Sequence, residues 1–275
     1  MKNSPYPAAS SPAFAADGAR PSNVRWRIFL ILLLLAAINY IDRASLSVAL
    51  PLISAEFELT PALEGLILSA FFWSYALMQI PSGMLLDRFQ VRNIVGVATV
   101  GWGAFQALGG FAHNWITLLV TRIGLGVAES PIMPAGAKLN GSWLTPNERG
   151  RGATLVDGGA PLGTAFGAII IAGLITWFDS WRIAFVIAGV GTVVVGIWAW
   201  WYIRNHPSEH PLVNKAELDY ITQANDAASQ SNGNRKAVLK ELLKSRSVLC
   251  MFAGYACYNS VFYGLLTWMP SYLHQ

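Results

Sequence analysis

Residues 39–48 read NYIDRASLSV, and place Asp42 beside Arg43 near the middle of an apolar run extending from about 28 to 53. A bilayer core is about 30 Å thick and is crossed by roughly 20 apolar residues of helix, so this run is long enough to span it. A charge at the centre of an isolated membrane helix costs about 2.5–3.5 kcal/mol on insertion scales. An acid and a base there must face protein or water. The composition agrees with that setting: 54% of the 275 residues are hydrophobic and 12% are charged, about half the charge of a soluble domain. Eleven Trp and nine Tyr suit a protein anchored at two water–lipid interfaces. The expected surroundings are therefore a lipid bilayer.

Seven stretches have the length and apolarity of a span, at about 28–53, 62–86, 93–112, 116–138, 152–176, 182–202 and 247–272. Basic residues orient them. Of the 19 Lys and Arg, Arg43 and Arg122 fall inside spans and Arg182 in an outer loop; the other sixteen lie on one side. The opposite loops carry Glu56, Glu58, Glu64 and Asp179. The N-terminus is thus expected in the cytoplasm. A net charge of +4 spread over loops sets topology and does not suggest a nucleic-acid partner. Cys250 and Cys257 share one apolar stretch and imply neither a disulfide framework nor a metal site.

Residues 1–22, rich in Pro, Ala and Ser, read as a disordered cytoplasmic tail. They do not read as a signal peptide, because the apolar segment that follows is too long and lacks a cleavage site. Residues 23–203 form a six-span unit and 204–246 a polar cytoplasmic linker. Residues 247–275 supply a seventh span that opens a second, incomplete unit. Within the linker, RKAVLKELLKSRS places Val238, Leu239, Leu242 and Leu243 on one helical face opposite lysines, the pattern of a helix lying on a membrane surface.

Span four repeats the problem of span one. Arg122 and Glu129 are seven residues apart, on one helix face and about 10 Å apart in height, with Gly126 between them. Asn39, Arg43 and Ser47 form a polar strip on span one with Asp42 at its edge. Four unpaired charges would cost on the order of 10–14 kcal/mol, comparable to the stability of a whole domain. Two readings follow: an ion-pair network that only fixes packing, or groups around a hydrated central cavity. A buried ion pair adds little where apolar packing would serve, and Asp42 and Glu129 count to similar depths, which favours the cavity. Carboxylates beside lipid-shielded arginines also suit a proton relay. Tyr75 and Gln79, four apart on span two, are candidates for the same wall. Tyr255, Tyr258, Asn259 and Tyr263 on span seven are candidates for the opposite one. Asp157, in LVDGGAPLGTAFG, reads either as a gate contact or as a partly hydrated structural charge. The glycines around it read as close helix packing.

After span two comes GMLLDRFQVR, residues 83–92. It resembles the Gly-x-x-x-Asp-Arg-x-Gly-x-Arg loop of the major facilitator superfamily, with Gly83, Asp87, Arg88 and Arg92 in place and Gln90 at the usual second Gly. NYIDRASLSVALP, RIGLGVAESPIMPA and WRIAFVIAG…NHPSEHP are similar to the anion:cation symporter branch, whose members carry galactonate, glucarate, hexuronates and other organic acids. The resemblance covers residues 24–275. It implies an all-α membrane protein with the major facilitator fold: a six-helix N-terminal half plus the first helix of a truncated C-terminal half. It further implies that Asp42 and Glu129 couple protons and that Arg43, Arg122, Tyr75, Gln79 and Asn39 bind substrate. Gly83, Asp87, Arg88, Arg92 and Asp157 would control the conformational change.

The expected activity is proton-coupled symport of a small organic anion, a sugar acid such as galactonate or glucarate, across the inner membrane. The expected partners are the anion, protons and lipid. The full-length protein is expected to be a monomer, with no cofactor beyond the coupling H+. Anion exchange or uniport by the same fold is the alternative, and a seven-helix receptor is a remote one. No enzyme is expected, since the sequence offers no nucleophile–base pairing. Seven spans without the rest of a second half are expected not to transport alone.

Overall fold

The computed structural model describes residues 20–230 and 244–273. The tail up to residue 19 and the amphipathic stretch carrying Val238, Leu239, Leu242 and Leu243 lie outside the described residues. The described elements are helices α1 (Val24–Phe57), α2 (Pro61–Arg88), α3 (Val91–Gly109), α4 (Trp115–Glu129), α5 (Ile132–Trp143), α6 (Arg149–Asp157), α7 (Gly159–Phe178), α8 (Trp181–Tyr202), α9 (Lys215–Gln230) and α10 (Arg246–Leu273), with a 3₁₀ turn at Pro207–Glu209. Among them, six spans are long and apolar enough to cross a membrane: α1, α2, α4 with α5, α6 with α7, α8 and α10. The seventh expected span, 93–112, is the 19-residue α3. Arg92, Asn93, Gln106 and its glycines leave it less apolar than the others, and it lies along α8 inside the bundle.

Local chemistry sets the boundaries. Thr60, Asn114 and Ser180 cap α2, α4 and α8 through their side chains, the interaction for which these residue types are favoured at helix starts. Pro131 divides α4 from α5, because it has no N–H for the carbonyl of Val127. The Ser130 hydroxyl donates to that carbonyl instead, at 2.8 Å. Pro161 likewise leaves the Asp157 carbonyl without its helical donor, and the chain breaks there between α6 and α7. Helix α1 has no side-chain cap of its own and no acid in its first turn. Its cap comes from 192 residues away: the Glu217 carboxylate on α9 accepts from the backbone N–H groups of Val24 and Arg25, each at 3.3 Å. The negative charge also suits the positive end of the helix dipole.

Helix α7 packs along α1, and α4 along α2. The first contact depends on Gly159, Gly163 and Gly167: a methyl group on Gly163 would collide with the Ala37 carbonyl, so the two backbones touch as small-residue stripes allow. The interior is layered. One apolar cluster gathers Phe29, Leu32, Trp102, Trp143 and Ala199, and a second gathers Leu46, Leu50, Leu118, Trp181 and Phe185. Between them α1, α3, α4 and α8 each contribute buried polar groups: Asn39, Asp42, Arg43 and Ser45, then Gln106, Arg122 and Thr192. The sequence NYIDRASLSV is the α1 portion of this polar layer.

Candidate functional site

The acid and the base of each helix do not pair with one another, and a single ion pair among the four described charges joins the two helices. Arg43 pairs across the bundle with Glu129, at 3.7 Å between Nη2 and Oε2. Asn39 Nδ2 donates to the same carboxylate oxygen at 2.5 Å. Asp42 points the other way: its Oδ2 accepts from Trp102 Nε1 at 2.5 Å and from the Thr192 hydroxyl at 3.5 Å. Arg122 takes no salt bridge within 4 Å to any described acid, and its guanidinium lies 4.9 Å from the Phe185 ring. One oxygen of each acid (Asp42 Oδ1, Glu129 Oε1), together with Arg43 Nε, Arg122 Nε and Arg122 Nη2, is buried without a hydrogen-bond partner in the protein. Gly126 admits not a ligand but α2, since a side chain there would strike Ser74 and Phe71.

The expectation of a hydrated central chamber needs correction. Asp42 and Glu129 are 0% exposed, Arg122 is 2% and Arg43 9%. The space between Arg43 and Arg122 is a cavity of about 20 Å³, closed by Leu46, Leu68, Phe71 and Leu125. That holds about one water and no organic acid. The rings of Phe71 and Phe72 on α2 line it, and a further set of rings surrounds Arg43. Tyr40, Phe71, Tyr75 and Tyr263 place their rings 4.7, 4.9, 4.8 and 5.8 Å from the Arg43 guanidinium carbon. The Tyr263 hydroxyl accepts from Arg43 Nη1 at 2.8 Å.

Of the residues expected to bind substrate, the fold brings Asn39, Arg43 and Tyr75 together, with Arg122 across the small cavity. Gln79 is half-buried one turn beyond Tyr75 and joins no hydrogen bond of the cluster. The loop residues lie apart, at the end of the bundle where α1 begins. Gly83 has open space beside it. Asp87 pairs with Lys138 at 3.5 Å, and Lys138 also donates to the Leu86 carbonyl. Arg88 is exposed beside Lys138 and His206. Arg92 donates to the Trp200 carbonyl at 2.8 Å. Asp157 is exposed at the α6–α7 joint.

The same end holds a network that the sequence did not announce. Arg25 bridges Glu148 at 3.1 Å and Glu217 at 2.8 Å, and Ser22 donates to Glu217 at 2.5 Å. His210 packs edge-on against Trp143 and Tyr202, and burial pushes its pKa below the ordinary 6.5. Part of the polar linker is therefore fastened onto the bundle. Trp102, Gln106 and Thr192 also went unrecognised. Trp102 and Gln106, four apart on α3, were the readable signal, because two polar-edged side chains share one face of an otherwise largely apolar helix.

Comparison with known proteins gives this arrangement a family. The Major Facilitator Superfamily profile matches residues 32–275. The chain belongs to the major facilitator superfamily. Among curated members, an uncharacterized transporter of Bacillus subtilis, YybO, is 35% identical over 92% of this chain and 58% of its own length. The probable L-galactonate transporter of Escherichia coli is 33% identical over 92% and 55%. The probable galactarate/D-glucarate transporter GarP of the same species is 30% identical over 92% and 60%. The chain thus spans 55–60% of the length of these relatives. A solved superfamily structure, a bacterial homolog of the human lysosomal transporter Spinster in an inward-facing and unoccupied conformation, superposes with a TM-score of 0.71 at 23% identity, over 92% of this chain and 56% of that one. It supports the fold. The superfamily and these relatives are transporters and not enzymes, so the chain is a multi-helix membrane protein of a transport family.

Proposed function

We propose that the protein is a proton-coupled symporter of a small organic anion, a sugar acid of the galactonate or glucarate class, in the inner membrane with its N-terminus in the cytoplasm. In this reading residues 23–203 are the N-terminal six-helix half, 204–246 the cytoplasmic linker and 247–275 the start of a second half. The observation that carries it is the Arg43–Glu129 pair: a buried guanidinium shared between an acid and a neutral hydroxyl, in a chain whose relatives are named for sugar-acid transport. A carboxylate is a stronger partner for an arginine than a phenol is. Once a substrate carboxylate joins Glu129 beside the same guanidinium, two like charges compete and one is favoured to hold a proton.

Arg43, Arg122, Tyr75 and Asn39 receive the anion, with Gln79 reached as the site opens. Asp42 and Glu129 carry protons. Gly83, Asp87, Arg88, Arg92 and Asp157 govern the conformational change at the cytoplasmic end. The test is uptake of labelled galactonate, galactarate and glucarate by the whole gene product in proteoliposomes. Accumulation above the external level under an inward proton gradient is expected. Uptake indifferent to the gradient would assign an exchanger or uniporter, and no uptake of any sugar acid would remove the substrate class.

A further inference from the structure

The Arg43 guanidinium is closed in by four aromatic rings, and these are not equivalent. Tyr40 lies on α1 and Phe71 and Tyr75 on α2. Phe71 belongs to the buried core, and Tyr75 packs against that core and stacks on Phe71 at 5.7 Å. Moving any of these three opens the bundle interior. Tyr263 lies on α10, a helix whose apolar window has no buried residue. Among the α10 residues near this site whose burial is described, Asn259, Phe262 and Tyr263 are half-buried, one stripe at helical spacing that rests on α1. Tyr75 and Tyr263 both bring their hydroxyls to the guanidinium; that of Tyr263 accepts from Nη1 at 2.8 Å and also meets that of Tyr40 at 3.1 Å. Glu129 occupies the Nη2 side. The Nη1 position is therefore held by a neutral acceptor on the most weakly packed wall.

We infer that Tyr263 gates the Arg43 site and sets its selectivity for anions: its phenol oxygen occupies the place of the substrate carboxylate, and the anion enters by displacing it. The inference rests on the reading that Arg43 receives a carboxylate. A charged acceptor outcompetes the phenol for a guanidinium, whereas the hydroxyl of a neutral sugar offers nothing the phenol does not. The closed cage then excludes neutral polyols without any steric filter. Because the receptive state is only a fraction of the population while Tyr263 is in place, apparent affinity is reduced by that fraction.

The experiment is calorimetric titration of galactarate into the purified whole gene product, comparing wild type with Tyr263→Phe, which keeps the ring and loses the acceptor. The melting temperature of each protein is measured alongside. Removal of one competing hydrogen bond is expected to tighten galactarate binding about 2- to 12-fold. It should also raise the association rate, with little change in melting temperature. Weaker binding by Tyr263→Phe would make the hydroxyl a direct substrate ligand, and equal binding would make it a spectator; either overturns the gate while leaving the substrate reading intact. Tight binding of galactarate by Arg43→Gln overturns the placement of the carboxylate on Arg43, and the gate with it. No binding by wild type of galactarate or any other sugar acid overturns both.

Discussion

The two buried acids occupy the same layer of the bundle and are equally sealed, yet they are held by different means. Glu129 is held by a charge, Arg43, and by the Asn39 amide, both on α1. Asp42 is held by neutral donors from Trp102 and Thr192 and faces α3 and α8, whose backbones touch through Gly103 and Gly189. An acid whose counter-charge can be taken by a ligand senses that ligand. An acid held by a closely packed indole does not. In the proposed function, this contrast supports giving Glu129 the exchange between anion and proton, and Asp42 a proton position insulated from the substrate.

The largest effect is expected at Glu129. In Glu129→Gln the buried Arg43 keeps its charge and loses its counter-charge, a change on the order of 3 kcal/mol or more for a broken buried pair. Sugar-acid uptake should fall at least ~100-fold, with a lowered melting temperature. Asp42→Asn comes next and separates the two acids. Its amide oxygen still accepts from Trp102 and Thr192, so the melting temperature should change little while accumulation collapses to the external concentration. Equal destabilisation by the two substitutions would break the contrast.

A smaller effect tests the distant end of the bundle. Glu217→Ala removes the cap of α1 and one partner of Arg25, worth about 0.5–2 kcal/mol as a cap. Proteolysis at Lys215 should accelerate while anion binding stays unchanged. The smallest effect is at His210. Its folded pKa lies below the unfolded value, so its contribution to stability is complete above about pH 6.5 and declines as the pH falls. Hydrogen exchange in residues 204–227, corrected for intrinsic rates, should show less protection at pH 5.5 than at pH 7.5, and His210→Leu should remove the difference.

The sequence made the fold legible because membrane helices announce themselves by length and apolarity, and because charged and turn residues bound them. It also singled out the four interior charges, since each is expensive where it stands. It did not reveal how they pair. Asp42 and Arg43, adjacent on α1, point about 100° apart and turn to different helices, while Arg122 and Glu129 share a face but stand about 10 Å apart in height, too far to pair with each other. The hydrated chamber was inferred from the charges alone, and the aromatic cage that replaces it is built from side chains on three helices. Asn214-x-x-Glu217 carried a readable helix-start signature, and Asn214 does accept from the Glu217 N–H at 2.9 Å. The carboxylate itself is spent on Ser22 and Arg25, contacts more than 190 residues distant that no local pattern encodes.

The central claim is that one guanidinium, Arg43, is shared between Glu129 and the anion, so that binding one partner shifts a proton to the other. The direct measurement is proton uptake on adding galactarate to the purified whole gene product in weakly buffered solution, followed with a pH-indicator dye. About one proton taken up per anion bound is expected from the like-charge argument, surviving in Asp42→Asn and vanishing in Glu129→Gln. Anion binding without proton uptake, or uptake undiminished in Glu129→Gln, would contradict the account.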